Sequence, residues 1–164
     1  MFHSPVGDSD PWCLQSVQPG RVVSASSIAF WALSATVLLA TTTLAAPCDD
    51  AKGLWTTAQN DAVIEFKSCA DRKDSLCGQI IWDKDAGTPE DACGEQVARL
   101  NRYENDAWRD GWVYDPRTKR KYKGVVRLKA GELNIRAFVG VEILGQTEQL
   151  KRVLSLPLAP ACKL

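Results

Sequence analysis

Histidine and methionine are almost missing from this chain: 164 residues hold one of each, His3 and Met1. A lone histidine at position 3, ahead of a long uncharged run, leaves the rest of the chain without any. Histidine-based triads, imidazole general bases and histidine metal ligands are thereby excluded beyond that point. No CxxC pair occurs either, and structural zinc sites usually carry such short spacings, so no metal or other cofactor is expected. Sustained helical periodicity is lacking as well, which argues against a helical fold. Net charge is zero, with 20 basic and 20 acidic side chains, so no field covers the whole molecule to attract a polyanion.

Charge is also missing locally. From Val22 to Ala46, "VVSASSIAFWALSATVLLATTTLAA" has no ionisable side chain; Arg21 precedes it and small residues close it. That order is a secretory signal with cleavage expected after Ala45, Thr43 and Ala45 being the small pair. The alternative is an inner-membrane anchor through residues 22–46, since about 20 apolar residues span a bilayer. Pro47 before Cys48 does not suit lipid modification of that cysteine. The expected organisation is a leader over 1–45 and a single domain over 46–164, periplasmic or secreted.

Cysteine is what that domain has in surplus: Cys48, Cys69, Cys77, Cys93 and Cys162. In an oxidising compartment these read as a disulfide framework. Cys69 and Cys77 flank "ADRKDSL", a polar turn that a hairpin would close. Cys48 and Cys162 stand near the two ends of the domain, which often lie close together, and form the second expected bridge. Cys93 is left over as a thiol, an intermolecular link or a bystander.

Short stretches of alternating polarity recur between turn signals: 53–57, 62–67, 76–83, 111–115, 121–129, 132–140 and 147–153. One buried and one wet face per strand is the meaning of that period. Separators such as "AQND", "DPRT" and "AG" mark hairpins, and a meander of seven or eight strands loses its exposed edges by closing into a barrel. The fold class expected is therefore all-β, a small antiparallel up-and-down barrel. Its one long connection, from Lys84 to about Ala107, carries Val97 and Leu100 at a spacing that suggests a short helix.

In "GWVYDPRTKRKY", Trp112 and Tyr114 share one face of a strand, and Asp115-Pro116 suits the first two positions of a type I turn. Arg117, Lys119, Arg120, Lys121 and Lys123 follow, a hairpin tip suited to water or to an anionic envelope component. Nucleic acid is not expected as a partner of an exported protein.

The runs "GLWTT", "IEFKSCADRKDSLCGQIIW", "WRDGWVYDPRTKRKYKGVVRL" and "ELNIRAFVG" with "LGQTEQLKRV" resemble the bacterial exported family known as domain of unknown function 2147. The resemblance covers Gly53 to Val153 and implies a lipocalin-like barrel, with no particular reaction. It also implies that Gly53 and Trp55 form a GxW element whose indole is covered by Arg152, a structural pair. The sequence departs from the family where Leu150 stands for an expected tryptophan.

Three functions follow as expectations. A barrel mouth lined by Trp82, Trp108, Trp112 and Tyr114 would bind a small apolar or amphipathic ligand. The cationic hairpin would serve an interaction module. Carboxylates Asp83, Asp85, Glu90 and Asp91 around the long connection would be the only material for a hydrolase, and no recognisable catalytic motif accompanies them, so a non-enzymatic protein is expected.

Overall fold

The computed structural model describes residues 48–160, 162 and 163; the segment 22–46 and the expected cleavage after Ala45 lie outside them. Among the described residues no helix is long and apolar enough to cross a membrane.

Nine strands follow one another: β1 (Gly53–Thr56), β2 (Ala62–Ser68), β3 (Leu76–Asp83), β4 (Gln96–Leu100), β5 (Arg102–Glu104), β6 (Ala107–Asp115), β7 (Arg120–Lys129), β8 (Glu132–Phe138) and β9 (Gln146–Val153). All pair antiparallel in the order β4-β3-β2-β1-β9-β8-β7-β6-β5, and an added β4–β6 pairing closes the sheet into an eight-strand barrel with β5 as an extra strand. Sequential strands are neighbours nearly everywhere, as short hairpins dictate. The all-β barrel expected from the alternating pattern is thus the fold.

The long connection differs from its expectation. It holds no helix but two strands, β4 and β5. Val97 and Leu100 mimicked a helical spacing because Val97 is the extra residue of a bulge: Gly78 pairs with Ala98, but the next partner of β3, Gln79, pairs with Gln96. Val97, Ala98 and Leu100 are consequently all buried.

The core fills the closed end. Trp55, Phe66, Leu76, Leu100, Val126, Leu133 and Leu150 are at most 1% exposed and pack as one cluster. Leu150 faces Leu133 across β9 and β8, which places an apolar side chain where the family resemblance led one to expect an indole. Beneath the cluster, Arg152 lies over the Trp55 ring at 4.2 Å. The indole N–H donates to the Ala51 carbonyl at 2.9 Å, and the guanidinium donates to the carbonyls of Lys52 and Asp50. Gly53 is required there: its φ is +121°, and a Cβ would stand 2.8 Å from Arg152 Nη1.

Cys69 and Cys77 are bridged across the β2–β3 turn. The second bridge joins Cys93 to Cys162, not Cys48 to Cys162. Cys48 is buried at the closed end, where its carbonyl accepts from the Trp108 indole, whereas the tail beyond Val153 runs to the β3–β4 connection. Cys93 is therefore a structural half-cystine, and the expectation that it stood alone is corrected.

Candidate functional site

Four connections meet at the open end: the β1–β2 turn, the β3–β4 loop, the β6–β7 tip and the β8–β9 loop. Between them a cavity of about 1140 Å³ descends into the barrel. That is of the size that holds a small organic molecule. Strand periodicity makes its wall. Ile64 and Ile80 face each other across β2 and β3, Val113 faces Tyr122 across β6 and β7, and Ile135 and Ala137 follow along β8.

The wall carries carboxylates as well as apolar groups. On β9 the alternation that turns Leu150 into the core also turns Glu148 inward, opposite Ile135. Its Oε1 is buried and accepts no hydrogen bond among the described residues. Burial raises the Glu148 pKa above its usual value, Arg117 lowers it, and Asp61 and Asp115 raise it further. Glu95 contributes a second buried, unaccepting oxygen to the same cavity. A carboxylate set in an apolar wall is suited to a ligand that brings a hydrogen-bond donor with an apolar body.

Of the four aromatic candidates, only Tyr114 borders this cavity. Trp82 is buried opposite Val63 on the other face of the β2–β3 pair. The bulge between Val63 and Ile64 makes Ile81 the extra residue of β3, so Trp82 does not share the side that Ile80 presents to the core. Trp108 belongs to the closed end, donating to the Cys48 carbonyl at 3.3 Å and meeting Tyr103 edge to face at 5.4 Å. Trp112 alternates with inward-facing Val113 and lies under the Lys121 ammonium at 4.2 Å. The four aromatics are thus spread over four places: the cavity edge, the far face of the β2–β3 pair, the closed end and the outer face of β6.

The cations divide similarly. Arg117 and Lys119 stand at the cavity rim, while Lys121 covers Trp112 and Lys123 is exposed beside it. The tip forms as its sequence dictates: Asp115 accepts from the Arg117 amide at 3.0 Å and from the Thr118 hydroxyl at 2.9 Å, and Lys119 turns the chain with φ +53°.

Two of the four acidic candidates around the β3–β4 loop, Asp83 and Asp91, are occupied by backbone amides. Asp83 accepts from the amides of Asp85 and Ala92, at 2.9 and 3.0 Å. Asp91 accepts from the amides of Gly87 and Cys93, both at 2.7 Å, and these bonds hold its pKa below the ordinary value. Glu90 accepts from Thr88. They staple the loop over the cavity edge.

Sequence reasoning missed Glu148 and Glu95. The signal for Glu148 was present: Gln146, Glu148, Leu150 and Arg152 share one face of β9, so a charged residue was written into an apolar stripe.

A family model described as "Uncharacterized protein conserved in bacteria (DUF2147)" matches residues 53–152. Among solved structures, a protein of the human pathogen Helicobacter pylori, described as belonging to the lipocalin family, is similar. It shares 14% identity, with 63% of this chain and 82% of that one covered, at a TM-score of 0.47. No curated protein matches.

Proposed function

The chain belongs to the bacterial family DUF2147, and we propose that it is an exported binding protein whose open barrel end holds a small amphipathic molecule. The observation that carries this reading is the cavity of about 1140 Å³, apolar in its depth and bearing the buried Glu148 carboxylate. An apolar body would rest against Ile64, Ile80, Val113 and Ile135, and a polar end would meet Glu148, Glu95 or the cations at the rim. Two disulfides on the described chain suit an oxidising compartment, which supports export to the periplasm or beyond. Binding is favoured over hydrolysis by the loop carboxylates Asp83 and Asp91, whose oxygens accept from backbone amides.

Native mass spectrometry of the protein purified from its own envelope tests the proposal. A reproducible bound mass, lost in an Ala137→Trp variant that fills the cavity yet keeps its melting temperature, is the expected outcome. A bare chain from every preparation would overturn it.

A further inference from the structure

The β8–β9 loop presents its side chains in the reverse of the usual order. Val139, Val141, Ile143 and Leu144 are 76%, 57%, 82% and 78% exposed. Glu142, the loop's one ionisable residue, turns back onto the barrel, 2.6 Å from Arg127 and 3.1 Å from Arg109. Arg136 fastens the same segment by donating to the carbonyls of Glu142 and Ile143, at 2.7 and 2.8 Å. Three arginines from β6, β7 and β8 thus hold a short 3-10 turn, Glu142–Leu144, with its apolar residues in water. A contiguous exposed apolar set of this kind marks an interaction surface.

The charges around the rim state what kind of surface it fits. Around the closed barrel the strands run β1, β2, β3, β4, β6, β7, β8, β9. The acidic β3–β4 loop is therefore opposite the β8–β9 loop, and the cationic β6–β7 tip stands a quarter-turn from each. At that tip Lys119 and Arg120 are exposed and pair with no carboxylate among the described residues. One side of the open end is accordingly apolar and cationic, and its far side is acidic. We propose that this side docks on an anionic phospholipid surface, with Val141, Ile143 and Leu144 entering the headgroup boundary and Lys119 and Arg120 meeting lipid phosphates. The acidic loop is then tilted away from the bilayer, and the cavity opens toward it. The docking stands whether or not the cavity holds a ligand.

The test uses the purified full chain carrying an environment-sensitive fluorophore on Ile143→Cys, with the same label on Lys129→Cys at the opposite end of the barrel as control. Vesicles of phosphatidylcholine with phosphatidylglycerol should shift the emission at 143 to the blue and leave that at 129 unchanged. Pure phosphatidylcholine vesicles should do so far less. Reversing Lys119 and Arg120 to glutamate should weaken the response at least about fivefold per cation, from roughly 1 kcal/mol for each charge near such a surface. Equal shifts at both positions, insensitivity to phosphatidylglycerol, or no shift would overturn the proposal. So would concentration-dependent dimerisation that Ile143→Asp abolishes while vesicles leave the probe unchanged, since the loop would then serve a second copy of this chain.

Discussion

The backbone of Gly111 in β6 lies so close to that of Arg99 in β4 that a Cβ on the glycine would stand 1.8 Å from the Arg99 carbonyl oxygen. This is the seam where the barrel closes, because β4 and β6 pair through Ala98 with Val113 and Arg99 with Trp112 just beside it.

Gly111→Ala should therefore prevent closure at the seam. The neighbouring atom is backbone and cannot swing aside, so a loss of at least about 3 kcal/mol is expected, in the range of severe packing mutations. Gly131→Ala, at φ +81° but with open space around it, should cost only about 1 to 2 kcal/mol. Urea unfolding of the two variants checks the contrast; equal losses would mean that the seam does not depend on the glycine.

Trp55→Ala should remove about 3 to 5 kcal/mol, as for other large-to-small changes at buried aromatics. Arg152→Gln, which keeps the indole but loses its cation and the carbonyl contacts, should lose about 1 to 3 kcal/mol. Thermal melts of both, together with the double variant, would show a loss smaller than the sum if the two residues act as a pair.

Glu148 has a folded-state pKa raised above the usual glutamate value of 4.5. A raised carboxyl pKa contributes to stability below pH 4.5, where the group is neutral folded or unfolded, and that contribution is lost as pH rises through the elevated value. Glu148→Gln should consequently match the native protein near pH 4 and be more stable at pH 7. Parallel stability curves across that window would show that the carboxylate is not penalised by its site.

Ala130 takes φ +53° in the two-residue β7–β8 turn, where it precedes Gly131. A non-glycine residue in the left-handed region is strained by about 1 to 2 kcal/mol, and asparagine tolerates it better. Ala130→Asn should raise the unfolding midpoint in urea without changing the slope of the transition.

The barrel was legible in the sequence because alternation and turn chemistry are local. Seven of the nine strands could be read from patterns such as Ile64 with Phe66 and Leu133 with Ile135. β4 could not, because the bulge at Val97 breaks its period and gives three buried residues a helix-like spacing. The cavity was harder still. Which aromatics share an interior depends on the bulge beside Ile81 and on closure between strands distant in sequence, so Trp82, Trp108 and Trp112 gave no local sign of their separate places. Glu148 was readable in principle, from one charge on the face that Leu150 buries, but its meaning required knowing that β9 pairs with β8 around an open end.

The Cys93–Cys162 bridge spans 69 positions and encloses β4 through β9 in a single covalent ring. A protease that nicks any turn inside that ring, whether the cationic tip or the apolar loop, opens the ring without releasing a fragment. Cut molecules would gain only the water of each hydrolysed bond and stay in one piece until a reductant reached the disulfide. Both the cationic tip and the apolar loop lie inside the ring, so a cut in either would leave its two pieces joined.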